Sequence, residues 1–409
     1  MTNKQAAMQV IKTLSGNGFQ AFLAGGYVRD MLLGRGVKDF DVATDAKPEI
    51  VAGLFSRTLN VGAKFGVVIV LLGGKQVEVA TFRNESGYVD GRHPLRVEFT
   101  SAQEDAARRD FTINGMFYDQ RNDKIIDYIG GQEDLKRKII RTIGSPDERF
   151  GEDYLRMLRA VRFSTQLGFE IEPQTWAAVC RGAGNIARIS GERIAMEMEW
   201  ILTDPNRDKG VLLLAESGMA AAIFGTSYPD QIKFAAEVLK RLRKKVDFAL
   251  GLAGFFVGFS AKDALEKIRV LKLSRSRTKH VKFLLDGRGS LLDERLSMGQ
   301  LRMVLAEPHF WDLYELHRAI QRAKGEGVNA LVRLRKRIKS LGDIEPTPKP
   351  LLDGHELMRL GAEPGPSLGA LADEMYMVQL EGKLQTAEQA EKWVRGRLKN
   401  SSRTYGKQK

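Results

Sequence analysis

Two aspartates, Asp39 and Asp41, stand in the run DFDVAT, which has the period-two alternation of a strand. On a strand over Asp39–Ala43, Phe40 and Val42 point one way and the two carboxylates the other. Two carboxylates on one strand face repel unless positive charge sits between them. A divalent cation supplies that charge, and Mg²⁺ suits hard oxygen ligands. Upstream, the apolar run Gln20–Ala24 leads into Gly25-Gly26, which opens a short helix, Tyr27–Leu33, closed by Gly34. Glycines at a helix mouth let backbone N–H groups come close to phosphate. Phosphate beside a carboxylate-held metal is the chemistry of nucleotidyl transfer. A lone D-x-D also reads as an exposed edge face, and a lone Gly-Gly as a plain turn. The order strand, Gly-Gly, helix, Gly, strand with D-x-D is the more specific signal. It is neither the G-x-G-x-x-G dinucleotide fingerprint nor a Walker A loop, since no G-K-[S/T] follows.

Further groups fit the same chemistry. Glu78 lies on a predicted strand, Lys75–Thr81, between Val77 and Val79, whose side chains face the other way. It becomes a third carboxylate near the metals if that strand lies beside Asp39–Ala43; otherwise it is solvated. Phe82–Phe99 is polar, rich in Gly and charge, and reads as a mobile loop that guides substrate, or else as a floppy hairpin tip, carrying Arg83, Asp90, Arg92 and His93. Ser101 caps a helix with Glu104 three residues on, placing Arg108 and Arg109 just before Asp110. Two arginines beside a metal–phosphate site are natural triphosphate clamps, or else a solvated helix face. Asp153 and Arg156, three apart on a helix, read as a surface ion pair or as a donor–acceptor pair offered to a base edge. In the second reading Asp accepts from an exocyclic amine and Arg donates to a ring nitrogen or carbonyl, which suits cytosine and adenine but not uracil.

These residues need a scaffold, and its coarse form is legible. Asn3–Asn17 has helical apolar spacing at Ala6, Ala7, Val10, Ile11 and Leu14. Lys47–Leu59 reads as a helix with Asp45 as N-cap and Pro48 in its first turn. Phe65–Leu72 and Lys75–Thr81 form a hairpin through Gly73-Gly74, and Lys124–Tyr128 and Ile139–Thr142 are short strands. From Pro146 onward the pattern turns helical, beginning with one amphipathic helix, ERFGEDYLRMLRAVRFSTQLGF, on which Arg156, Arg159 and Arg162 recur every three residues. Ser190 is a cap candidate for a helix with Arg193 in its first turn. The fold class is therefore α+β: a small α/β head with a mixed sheet, then an all-helical neck, body and tail. The expected divisions are 1–142 (head), 143–204 (neck), 205–285 (body) and 286–409 (basic tail).

The chain has 409 residues, room for two to four domains, and 43% hydrophobic content, enough for real cores. Its net charge of +13 fits a polyanionic partner. Much of the basic charge clusters between His317 and Lys339, with Gly325 and Gly327 breaking that stretch into two helices. The one cysteine, Cys180, excludes an intrachain disulfide, and its apolar neighbours predict a buried thiol. Met1–Leu14 is too polar for a signal sequence, and the longest apolar patch, Phe248–Phe259, reads as a buried helix, so the cytoplasm is the expected compartment. Five histidines are scattered and point to no site, and Asn400–Lys409 is polar and expected to be disordered.

Five stretches in this order resemble one family: GGYVRDMLLGRGVKDFDVAT (Gly25–Thr44), RRDFTINGMF (Arg108–Phe117), DYIGGQEDL (Asp127–Leu135), EDYLRMLRAVRF (Glu152–Phe163) and SGERI (Ser190–Ile194). They are similar to the class II tRNA nucleotidyltransferases, the bacterial CCA-adding enzymes and their relatives the bacterial poly(A) polymerases. The likeness is strong over Ala21–Ile201, and Gly354–Gly369 also resembles the tail of the longer CCA-adding forms. It implies that Asp39 and Asp41 hold two Mg²⁺ ions. It implies that Gly25, Gly26, Arg29, Arg108, Arg109, Asp110, Asn114, Arg159 and Arg162 line the nucleotide site, and that Asp153 and Arg156 select CTP and then ATP. It further implies that the Arg83–Pro94 segment serves the switch to adding A, and that tRNA is the partner, held by acceptor stem and upper arm to a monomer or homodimer. Gly115 stands where the family more often has alanine. A poly(A) polymerase shares the head and remains the alternative.

Overall fold

The computed structural model describes residues 1–405 except 38, 63–65, 89–93, 226–228, 294 and 343–345. Helix α1 (Asn3–Gly16) is started by a Thr2–Gln5 capping box and buries Ala6, Ala7, Val10, Ile11 and Leu14. Then follow β1 (Ala21–Ala24), α2 (Gly26–Leu32), β2 (Val42–Thr44), α3 (Pro48–Leu54), β3 (Thr58–Gly62), β4 (Val67–Leu72), β5 (Lys75–Thr81), β6 (Arg83–Tyr88), β7 (Pro94–Phe99), α4 (Ala102–Ala107), β8 (Phe117–Asp119), β9 (Lys124–Ile126), α5 (Gly131–Arg137) and β10 (Ile139–Ile140). Seven of the strands form one sheet in the order β3-β4-β5-β2-β1-β8-β9. Only β2 and β5 run parallel; every other neighbouring pair is antiparallel, so the sheet is mixed as expected. Phe22, Ala24, Ala43, Phe82 and Phe117 join Ala102 and Ala106 of α4 in one apolar cluster. Burying those rings removes apolar area from water at roughly 25 cal/mol per Å², which ties α4 to the sheet.

Several expectations are corrected here. The strand forecast at Asp39–Ala43 is Val42–Thr44; Asp39 and Asp41 lie in the irregular run leading into it. The helix forecast at Lys47–Leu59 ends at Leu54 and the chain turns into β3. Its N-cap is Lys47 without a side-chain bond, because the Asp45 carboxylate instead accepts from the Gln20 N–H at 2.8 Å. The stretch read as a loop over Phe82–Phe99 is a hairpin, β6 with β7, registered Arg83↔Phe99 to Tyr88↔Pro94. Asp90, Arg92 and His93 lie outside the described residues. A strand was missed at β8, whose Phe117 and Tyr118 pair with β1 and whose three residues pair with β9.

The long helix forecast after Pro146 is two: α6 (Pro146–Glu152) and α7 (Leu155–Leu167). They are separated at Asp153, whose backbone is extended (φ −149°, ψ 106°). A two-residue strand, β11 (Glu170–Ile171), pairs in parallel with β10 inside a region read as wholly helical. Then come α8 (Pro173–Gly182) and α9 (Gly191–Thr203). Ser190 precedes α9 as its N-cap but makes no side-chain cap bond. Cys180 is exposed, not buried. Partial desolvation and Glu216 push its thiol above the usual value, so it is a poor nucleophile.

The remainder is helical. The chain divides into two compact units, residues 1–236 with 262–274, and residues 237–261 with 275–409. In the second unit, helix Phe248–Phe255 is buried along its whole length, as its apolar run predicted. Helices Phe310–Ala323 and Asn329–Ser340 flank the forecast glycine break. Leu352, Leu357, Met375, Leu384, Ala390 and Val394 make a separate small core. The terminal helix continues to Tyr405, past the point where disorder was expected.

Candidate active site

The register of the sheet builds the acidic floor of the site. β1 and β2 are antiparallel, so the end of β1 meets the start of β2; the Ala24 N–H donates to the Asp41 carbonyl at 3.0 Å. β2 and β5 are parallel with Val42 opposite Val79, which sets Asp41 level with Glu78. Glu78 is thus beside the aspartate pair, and all three carboxylates border one small cleft with Asn3, Phe40, Ile69 and Gln76. Asp41 retains solvent access, yet its carboxyl sits in a concave floor. Burial, then Glu78, then Asp39 push its pKa up to about 6, against a smaller opposing pull from Arg109. A carboxylate crowded by two others has the chemistry of a hard divalent-cation site: oxygen donors whose repulsion a cation relieves.

Asp39 and Asp41 also open onto a larger cleft of about 870 Å³, within the range of small-molecule sites. All thirteen residues expected to be catalytic or nucleotide-binding line it: Gly25, Gly26, Arg29, Asp39, Asp41, Arg108, Arg109, Asp110, Asn114, Asp153, Arg156, Arg159 and Arg162. Gly25 contributes space. Its φ is +63°, and a Cβ there would lie 2.9 Å from Arg109 Nη1. Its N–H is committed to the Met116 carbonyl at 3.1 Å, so the phosphate cradle forecast at Gly-Gly cannot draw on that donor.

A chain of ion pairs and hydrogen bonds links residues along the cleft wall. Arg29 donates to Asp30 (Nε, 2.9 Å) and to Asn114 Oδ1 (2.7 Å). Asn114 donates in turn to Asp110 at 3.0 Å. Buried Asp110 also accepts from its neighbour's N–H at Phe111 (2.8 Å) and from Arg159 Nε (2.8 Å). Burial alone would raise its carboxyl; Arg159 first, then Asn114, hold it instead at about 2. Glu197 of α9 lies 3.0 Å from Arg162 Nε, without hydrogen-bond alignment, and 4.0 Å from Arg159. Burial pushes Arg162 down to about 10 and Glu197 up, as expected for a desolvated pair. The guanidiniums of Arg29, Arg159 and Arg162 sit 5.1, 5.3 and 4.3 Å from the Phe163 ring.

Asp153 and Arg156 both face the cleft, but each is held by another partner. Asp153 Oδ1 accepts from the Leu155 N–H at 3.0 Å, and Oδ2 pairs with Arg193 at 2.6 Å. Arg156 bonds Glu152 and donates to the Arg149 carbonyl at 3.0 Å. Arg108 and Arg109 both pair with Asp105 of α4.

Sequence reasoning missed Asp105, Glu152 and Glu197. The first two had a signal: a carboxylate three or four residues before an arginine on a helix. Glu197 had none, since its partners lie on a different helix.

The histidines, read as scattered, include one cluster in the second unit. His280 Nε2 lies 3.2 Å from Asp312, and Nδ1 lies 3.5 Å from Asp247. Ligand atoms of His280, His309 and Asp312 fall within 4.8 Å of one another. The two imidazoles, however, stack at 3.4 Å with planes 12° apart. Their in-plane lone pairs run parallel and do not converge on one ion.

A mixed sheet that sets clustered carboxylates at the floor of a guanidinium-lined cleft has the form of a nucleotidyltransferase head. Residues 21–141 match the family model described as "Poly A polymerase head domain", and residues 168–231 match "Probable RNA and SrmB- binding site of polymerase A". The CCA-adding enzyme of Geobacillus stearothermophilus is 45% identical over 234 residues, 57% of this chain and 58% of that protein. The chain thus aligns with just over half the length of that relative. The CCA-adding enzyme of Streptococcus gordonii is 32% identical over 387 residues, 93% of this chain and 94% of that protein. A crystal structure of the Bacillus stearothermophilus CCA-adding enzyme in complex with CTP superposes with a TM-score of 0.82 at 30% identity, covering 99% of this chain and all of that one. The chain belongs to the family of CCA-adding enzymes. Among the described residues, no helix is long and apolar enough to cross a membrane.

Proposed function

We propose that this chain adds C, C and A in turn to the 3′ end of tRNA, using CTP and ATP and no nucleic-acid template. The observation that carries the proposal is the gathering of an aspartate pair, two arginine pairs and the Asp153/Arg156 wall in one cleft. Asp39 and Asp41, with Glu78 alongside, would hold two Mg²⁺ ions, which when bound lower the pKa of the 3′-hydroxyl and neutralise the leaving pyrophosphate. Arg108 and Arg109 meet the triphosphate, so that its α-phosphorus faces the hydroxyl for in-line attack. The oxygen–phosphorus bond forms as the bond to pyrophosphate breaks, and the hydroxyl proton leaves to solvent.

Asp153 and Arg156 read the base. Each Asp153 oxygen that already accepts one bond keeps a lone pair for the N4 amine of cytosine or the N6 amine of adenine. Arg156 donates to the ring nitrogen or carbonyl. Uracil offers no amine and is refused. The exposed Arg333, Arg335, Lys336 and Lys339 on one helix fit phosphate contacts with acceptor stem and upper arm, which give shape recognition but no sequence. In functional terms we divide the chain into a head (1–142), a nucleotide-selecting neck (143–204), a body (205–285) and a tRNA-binding tail (286–409).

The test is incubation with Mg²⁺ and a tRNA transcript ending at the discriminator base, given CTP, ATP or both, with products resolved at single-nucleotide length. Two added residues with CTP and three with both support the proposal. A long ladder with ATP alone would make the chain a poly(A) polymerase, and incorporation that survives Asp39→Ala or Asp41→Ala would remove the assigned metal ligands.

A further inference from the structure

Asp105 lies outside the five motifs quoted for the family resemblance, yet among the described residues it is a heavily used carboxylate near the cleft. It sits on α4, its side chain only 3% exposed. Oδ1 accepts from Arg108 Nε (2.9 Å) and Nη2 (2.7 Å), and Oδ2 accepts from Arg109 Nε (3.2 Å) and Nη2 (3.0 Å). One carboxylate therefore grips two guanidiniums edge-on, each through two nitrogens. Oδ1 also accepts from the Arg83 N–H at 3.3 Å, so the root of the β6–β7 hairpin also holds the carboxylate. Burial opposes its charge, but Arg109 and then Arg108 hold its pKa below the usual carboxylate value. Arg109 is constrained further: Nη1 donates to the Asn114 carbonyl at 3.1 Å, and the guanidinium lies 4.8 Å from the Phe117 ring. The two arginine side chains nevertheless keep 17% and 19% of their surface open, at the wall of the cleft.

An arginine free in solution loses much rotamer entropy when it binds a phosphate, and a pre-held one does not. We propose that Asp105 is a positioning residue that aims Arg108 and Arg109 at the β- and γ-phosphates of the incoming nucleotide, making the cleft selective for triphosphates over monophosphates. The inference rests on the nucleotide reading of the cleft.

Charge and positioning give opposite signs, which makes the idea testable. Replacing Asp105 with asparagine adds one positive charge near the phosphates. Acting through the field alone, that change would tighten CTP binding. Acting through lost alignment, it weakens it. The experiment is calorimetric titration of the full chain with CTP and with CMP, for wild type, Asp105→Asn and Asp105→Glu, with melting temperatures recorded for each. Positioning predicts that Asp105→Asn weakens CTP by about tenfold, the size of one charge-assisted bond, while CMP affinity stays within about twofold. Asp105→Glu, which keeps the charge on a longer arm, falls between. A CTP-to-CMP ratio equal to or greater than that of wild type overturns the proposal. If Asp105→Asn does not fold, the glutamate variant decides on the same ratio. Failure of the wild-type chain to bind CTP would instead sink the nucleotide reading itself.

Discussion

Replacing Asp110 with asparagine keeps the shape of the side chain and removes its charge, which isolates the electrostatic part of its role. Asp110 is buried and holds Arg159, Asn114 and the Phe111 N–H. Its carboxyl is lowered from 3.8 to about 2, which at ~1.36 kcal/mol per pH unit corresponds to about 2–3 kcal/mol of folding free energy. Breaking a fully buried ion pair costs about 3–5 kcal/mol. Arg159 is 33% exposed and keeps Glu197 at 4.0 Å, so the loss belongs at or below the lower end of that range. We expect Asp110→Asn to destabilise the N-terminal unit by about 2–3 kcal/mol at pH 7.

The assay is urea unfolding followed by the fluorescence of Trp176 and Trp200, in a background where Trp311 and Trp393 are Phe, so that only the first unit reports. The sign with pH is fixed. A carboxylate whose folded value is depressed contributes fully above its unfolded value and loses that contribution as pH falls through the folded one. The gap between wild type and variant should therefore hold above about pH 4 and close toward pH 2. Equal stability at pH 7, or a gap that does not close in acid, would refute the argument.

Asp41, pushed up to about 6 by burial, Glu78 and Asp39, must lose its proton to bind a cation. The apparent affinity of the protein alone for Mn²⁺, measured by electron paramagnetic resonance, should fall about tenfold per pH unit below pH 6 and level off above it; an affinity that is flat from pH 5 to 7 contradicts the assignment. Arg193→Met frees Asp153 Oδ2 from its 2.6 Å partner, and the expected outcome in primer extension is greater misincorporation of UMP with CMP addition retained. Gly191 opens α9 where a Cβ would lie 1.8 Å from the Val270 carbonyl oxygen, so Gly191→Ala must shift backbone and should cost about 1–3 kcal/mol or more, read in the same urea assay. Binding of tRNA should weaken steeply between low and physiological salt; a flat dependence in a filter-binding titration would remove the phosphate contacts assigned to the Arg333–Lys339 helix.

Residue type, local spacing and the family resemblance together named the groups that gather in the cleft. Every aspartate, arginine and glycine singled out for the cleft lines it. The apolar period of α1 and the apolar run at Phe248 were equally local, and both gave the correct element. Tertiary structure decided who holds whom. A three-residue spacing pairs Asp153 with Arg156 only if both sit in one helix; the extended backbone at Asp153 ends α6 and turns its carboxylate to Arg193, forty residues away. Glu78 acquires its place beside Asp41 from the parallel pairing of β5 with β2, a register that no short-range pattern encodes. Glu197 meets Arg162 and Arg159 across two helices. Such contacts depend on which faces are buried together, and desolvation then sets the strength of each charge; neither is written in a neighbouring residue.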